Sequence, residues 1–270
     1  MTYWCIEDPT VMEEYNFSND FEVYYTKDEN GEYSIPKVAV VVNDGKVKEV
    51  RGVFDPHENI DGFLVPVVFD KLSTLDCDSS FYKRLDNVKK LNIIENKHLN
   101  DIELSKDELK FLYEIDGRVL TLGRDTGSEF RINNIKRARD KKSDFAFLFD
   151  CERDQVADDF EELLNSDSNI VVYLGDFVFE REELPKFSCP KYILGNLECP
   201  YISNADGFEN LEVVRGDVSC YYLVDANGFS SLREVYGNLV LSNLEDEITR
   251  DIYVAGDSYF KNDKKAGSVR

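Results

Sequence analysis

Phe208-Glu209-Asn210-Leu211-Glu212-Val213-Val214-Arg215-Gly216-Asp217-Val218 is answered one period later by Phe229-Ser230-Ser231-Leu232-Arg233-Glu234-Val235-Tyr236-Gly237-Asn238-Leu239. Outward from this pair the same centre recurs at Gly175-Asp176, Gly195-Asn196 and Gly256-Asp257, with intervals between the five glycines of 20, 21, 21 and 19 residues. A fixed period near twenty residues predicts a stacked solenoid. Aligned on glycine, the apolar residues fall into columns. Tyr173, Ile193, Val214, Val235 and Val254 stand two before it, and Phe177, Leu197, Val218, Leu239 and Ser258 two after. Phe179, Cys199, Cys220, Leu241 and Phe260 stand four after. Such alternation is strand periodicity with one face turned inward. Leu211 and Leu232 lie five before their glycines, and Phe187, Phe208 and Phe229 eight before theirs.

The columns have a physical cause. Rungs stack at one strand spacing, roughly 4.8 Å, so an inward side chain must fit its counterpart above and below. The glycine column permits a bend or a close backbone approach, and the Asp or Asn beside it can bond backbone groups there. A calcium ladder is disfavoured, because the glycine-rich nonapeptide spacing is absent. Cys199 and Cys220 share a column with Phe and Leu and read as small buried hydrophobes. Upstream, Val156, Phe160, Leu163 and Leu164 have the spacing of an amphipathic helix with an acidic outer face, expected to cap the first rung. Ser258 in a core column marks the last rung as degraded.

The two phrases quoted first resemble the leucine-rich-repeat variant of receptor L domains, in which "aromatic-x-x-Leu-x-x-Ile-x-Gly-Asn-Leu" closes one rung and opens the next strand. The likeness covers roughly residues 168 to 260. It implies a solenoid used for protein recognition and brings no catalytic residue with it. The chain departs from receptor ectodomains in lacking a disulfide framework.

Residues 1–150 show no repeat. Strand-like runs occupy residues 21–25, 38–42 and 47–50, the last two flanking the hairpin signal Asn43-Asp44-Gly45. Further apolar runs at residues 63–65, 67–69, 92–94, 119–122 and 145–149 also read as strands. One helix follows the capping box Ser105-Lys106-Asp107-Glu108, with Leu109, Leu112 and Tyr113 on one face. The expectation is an α+β chain. An N-terminal, mostly antiparallel domain over 1–150 precedes a capping helix over 151–167. A parallel-strand solenoid of about five rungs over 168–260 follows, with a flexible tail over 261–270.

Composition narrows function by charge. The chain has 54 acidic against 32 basic side chains, a net charge of −22. That field disfavours duplex DNA and anionic membrane and draws basic proteins, unless it serves solubility alone. The start, Met1-Thr2-Tyr3-Trp4-Cys5-Ile6-Glu7-Asp8, reads as no signal peptide, and six scattered cysteines read as reduced thiols in a cytoplasm. Chemistry is sparse. His57 lies in a polar loop, His98 stands alone, and Gly123-Arg124-Asp125-Thr126-Gly127-Ser128 lacks the ending of a phosphate cradle. No catalytic residue, metal site or cofactor is expected. The basic cluster around Lys136, Arg137 and Arg139 is a candidate docking point for an acidic surface or RNA. Asp176, Glu198, Glu161 and Glu162 are the candidate contacts for a basic partner. The expected function is a non-enzymatic interaction module that binds and inhibits a basic, nucleic-acid-handling protein, by analogy of charge and architecture with immunity proteins and phage-encoded inhibitors that imitate DNA. The alternative is an enzyme of unknown type in residues 1–150, with the solenoid selecting its substrate. An adhesin or receptor fragment is a third reading, disfavoured by the start of the chain.

Overall fold

The computed structural model describes residues 20–53, 60, 62–75, 77–122, 129–165, 169–184, 186–187, 189–244 and 252–260. His57, the loop at 123–128 and the tail from 261 lie outside them. The chain divides into two compact units, Met1–Arg139 and Asp140–Arg270. Together they make an α+β protein.

The first unit opens with an antiparallel sheet in the order β1 (Asp20–Lys27), β2 (Tyr33–Asn43), β3 (Lys46–Gly52). The expected hairpin forms at Asp44 and Gly45, both with positive φ (50° and 74°), which matches the twist of the flanking strands. Pro36 sits in the central strand beside a register shift at Tyr24/Tyr25, where its missing N–H is tolerated. Helices α1 (Val65–Leu72), α2 (Ser79–Leu99), α3 (Lys106–Leu112) and α4 (Phe130–Ala138) follow. The capping box holds: Ser105 Oγ accepts the Glu108 amide at 3.3 Å while Glu108 accepts the Ser105 amide at 2.8 Å.

Five expected strands are corrected. Residues 63–65 and 67–69 belong to a 3-10 turn (Gly62–Leu64) and α1, because Pro66 presets the first helical turn. Val65, Val68 and Leu72 are buried there, whereas Val67 is 58% exposed. Residues 92–94 lie inside α2, whose buried Leu85, Val88, Leu91 and Ile94 recur every third position. Residues 145–149 fall in and just after α5 (Lys141–Leu148), started by Asp140. Residues 119–122 run without strand pairing, and the Leu120 carbonyl accepts the Asn87 side-chain amide at 2.8 Å.

The second unit is the solenoid. One six-stranded parallel sheet runs β4 (Val156–Ala157), β5 (Val172–Tyr173), β7 (Tyr192–Ile193), β9 (Val213–Val214), β11 (Glu234–Val235), β13 (Tyr253–Val254). A five-stranded parallel sheet runs β6 (Phe177–Val178), β8 (Leu197–Glu198), β10 (Val218–Ser219), β12 (Leu239–Leu241), β14 (Ser258–Phe260). Each glycine bends the chain from the first sheet into the second. Ile193, Val214, Val235, Phe177, Leu197, Val218, Cys199 and Cys220 are wholly buried, so the inward columns are as expected. Phe177, Phe187, Phe208 and Phe229 form a file of rings with centroids 5.3–5.6 Å apart.

The cap differs in one respect. Val156 does not begin the helix: it is in β4, paired with Val172, and α6 spans Phe160–Asn165. The starting signal is Asp159, whose carboxylate accepts the Glu162 amide at 2.7 Å. Phe160 packs edge-on against Phe177 at 5.3 Å and Leu163 is buried, so α6 still covers the first rung.

Candidate interaction surface

The bend between the sheets is a continuous hydrogen-bonded spine. Gly216 N–H donates to the Gly195 carbonyl at 2.9 Å, Gly237 to Gly216 at 3.0 Å and Gly256 to Gly237 at 3.1 Å. A methyl built on Gly216 would lie 2.8 Å from the Gly195 carbonyl carbon, which explains the glycine column. The Asp/Asn column bonds across rungs. Oδ1 of Asp176 accepts the Asn196 amide (2.7 Å), Asn196 accepts from Asp217 (2.9 Å), Asp217 from Asn238 (2.6 Å) and Asn238 from Asp257 (2.9 Å). These side chains satisfy amides that the bend would otherwise leave unpaired. Interior and spine are thus committed to structure, which leaves the outward positions as the candidate surface.

Those positions differ between the two sheets. Outside the six-stranded sheet, charges pair among themselves: Glu212 meets Lys191 at 3.7 Å and Arg233 at 3.1 Å. The Arg215 guanidinium lies 3.9 Å from the centre of the Tyr236 ring, whose hydroxyl donates to Glu234 at 2.9 Å. Burial first, and then that hydrogen bond, raise the Tyr236 pKa. Outside the five-stranded sheet stand Val178, Glu198, Ser219, Val240 and Tyr259, followed by the exposed Tyr201, Tyr221, Tyr222 and Val224.

The anticipated contact residues occupy distinct places. Glu198 points outward from β8, in register with Val178 of β6, and Asp176 is exposed at the preceding bend, so these two sit on adjacent rungs. Glu161 is exposed on α6. Glu162 instead clamps Lys142, whose ammonium lies 2.6 Å from both its oxygens and 3.1 Å from Asp158. Burial pulls the Lys142 pKa down, but the bonds to Glu162 and Asp158 outweigh it and the net shift is upward. Asp158, Asp159 and Glu162 are close enough together to hold a cation, and the Lys142 ammonium fills that role. Lys136 and Arg137 lie in the last turn of α4, where positive charge suits the helix end, and Arg139 follows them in the first unit. Lys136 pairs with Glu114 at 3.0 Å, and Arg137 is exposed.

Burial pushes the Cys189 thiol up to about 12, and the mutual hydrogen bond of Cys199 and Cys220, with burial, raises that of Cys199. Thiols held protonated in this way are packing groups rather than nucleophiles. In the first unit β1, β2 and α1 enclose an apolar cleft of about 240 Å³. Tyr24, Lys37, Val67 and Lys71 help line it, and Glu22 lies 3.4 Å from Lys71. This is below the volume usual for small-molecule sites, about 300 Å³ or more. No helix among the described residues is long and apolar enough to cross a membrane.

No family model, curated protein or solved structure matches this chain.

Proposed function

We propose that the chain is a non-enzymatic interaction module whose solenoid captures a basic protein. The observation that carries this reading is the division of labour in each rung. Apolar columns, glycines and Asx side chains are consumed by stacking, while outward positions carry exposed carboxylates and tyrosines. With a net charge of −22, a lysine- and arginine-rich surface is drawn in faster than a neutral one. Proteins that handle nucleic acid have such surfaces, and an acidic solenoid seated there blocks the nucleic acid, which makes the module an inhibitor. The resemblance of the rungs to receptor L-domain repeats supports recognition as the use of the fold. A cytoplasmic site of action fits this reading.

The test is kinetic. A partner captured with the full chain should associate with a rate that falls about tenfold or more between low and high salt. Glu161→Gln with Glu198→Gln should slow association while leaving the thermal midpoint nearly unchanged, since both side chains are outward. Salt-indifferent binding that survives both substitutions would sink the proposal.

A further inference from the structure

Tyr201 and Tyr222 lie one repeat apart, each three residues beyond the outward position of its strand, Glu198 in β8 and Ser219 in β10. Stacking of the rungs therefore sets their rings side by side, with centroids 6.1 Å apart and planes 28° from parallel. They are 49% and 59% exposed, neighbouring Tyr221 is 49% and Val224 51%. Exposed aromatic side chains thus gather on neighbouring rungs, and contiguous exposed apolar patches mark binding sites. Among the described residues no lysine or arginine lies over the Tyr201, Tyr221 or Tyr222 rings.

The other sheet shows how this protein covers a surface tyrosine. There the Arg215 guanidinium lies over Tyr236, 3.9 Å from the ring centre, and Glu234 accepts the ring hydroxyl. Among the described residues Tyr201 and Tyr222 have neither partner, but carboxylates stand close to them along the chain and on the neighbouring rung. Glu198 precedes Tyr201 by three residues, exposed Asp225 follows Tyr222 by three, and exposed Glu180 lies on the rung before. Exposed rings in a segment that also carries carboxylates favour a planar cation that stacks and pairs at once. A guanidinium does both, whereas an ammonium is compact and strongly hydrated.

We propose that Tyr201, Tyr221 and Tyr222, with Glu198 and Asp225, form a docking platform for an arginine-rich segment of a basic protein. Guanidinium planes lie on the Tyr201 and Tyr222 rings and share their charge with the two carboxylates. This rests on the basic-partner reading above and deepens it by choosing arginine over lysine. Aromatic platforms also stack nucleic-acid bases, but flanking carboxylates repel the phosphates that would come with them.

The experiment titrates the full chain with labelled oligo-arginine, oligo-lysine and oligo-uridine of equal length at fixed ionic strength, read by fluorescence anisotropy. Oligo-arginine should bind about fivefold more tightly than oligo-lysine. Tyr201→Ala with Tyr222→Ala should erase that preference by weakening oligo-arginine alone, whereas Tyr201→Phe with Tyr222→Phe, which keeps the ring faces, should retain it. Glu198→Gln should weaken both peptides alike. Equal affinity for the two peptides, a preference that survives the double alanine change, or oligo-uridine binding as tightly as oligo-arginine would overturn the platform. If both peptides still bind in a salt-dependent way, that failure leaves the basic-partner reading standing. If neither binds at low salt, both readings fall.

Discussion

Val214 packs within a column against Val235 of the next rung, a residue of its own kind in its own register. In the first unit the core joins unlike elements instead: Val40 from β2, Val68 from α1, Leu85 and Val88 from α2, and Leu122 from a loop. One unit solves a single packing problem five times, and the other solves each of its problems once. In the solenoid a substitution is therefore felt by the rungs on either side, and its cost can be judged from its column. In the first unit the cost depends on how several elements meet.

The sharpest way to break that contrast is within one strand. Val214→Asp should cost several kcal/mol, because an unpaired charge would enter a stacked apolar column, as urea denaturation would show. Arg215→Ala, one residue on, removes an outward side chain that lies over Tyr236 and should cost about 1 kcal/mol or less. Similar losses would mean that the inward and outward columns are misassigned. A middle-sized effect is expected in the Asx column. Asn196→Ala leaves the Asp217 amide without its acceptor and should cost about 1 kcal/mol whatever the salt. Asn196→Asp keeps the acceptor but lines up three carboxylates. Its cost, again about 1 kcal/mol, should shrink as salt is added.

Smaller still is the difference between neighbours on α6. Glu162→Gln weakens the clamp on Lys142 and should lower stability by about 0.5 kcal/mol, while Glu161→Gln should change it immeasurably. The least effect concerns acid. The hydrogen bond from Arg153, and then that from Ser143, hold the exposed Asp140 carboxyl at about 2, below its ordinary 3.8. A depressed folded value means that the contribution of Asp140 is complete above about 4 and is lost as pH falls through about 2. Side-chain NMR should place its titration there, and Arg153→Ala should move it upward.

The solenoid was legible because its columns repeat: one misleading residue, such as Ser258, is outvoted by Phe177, Leu197, Val218 and Leu239. The helices of the first unit, apart from the one after the Ser105 capping box, were not, because a run of three apolar residues suits strand and helix alike. In Asn92-Ile93-Ile94, Ile94 is buried and Ile93 is 54% exposed, a split decided by Leu85, Val88 and Leu91 three, two and one turns earlier. Pro66 carried a local signal that the surrounding valines outweighed. At the candidate surface, Glu198 was placed correctly as outward from alternation alone. Tyr201, Tyr221 and Tyr222 escaped notice because they lie beyond the aligned columns, where the period still acts but the consensus stops. That Asp176 bonds the next rung could not be read from residue type, since the acceptor becomes useful only once rungs are stacked.

The Asx column also gives the solenoid a parity. Its members alternate as Asp176, Asn196, Asp217, Asn238, Asp257, so each carboxylate has neutral neighbours. Excising one rung would bring Asp176 against Asp217, whereas excising two would bring it against Asn238. Lengthening or shortening this protein without setting like charges face to face therefore proceeds two rungs at a time.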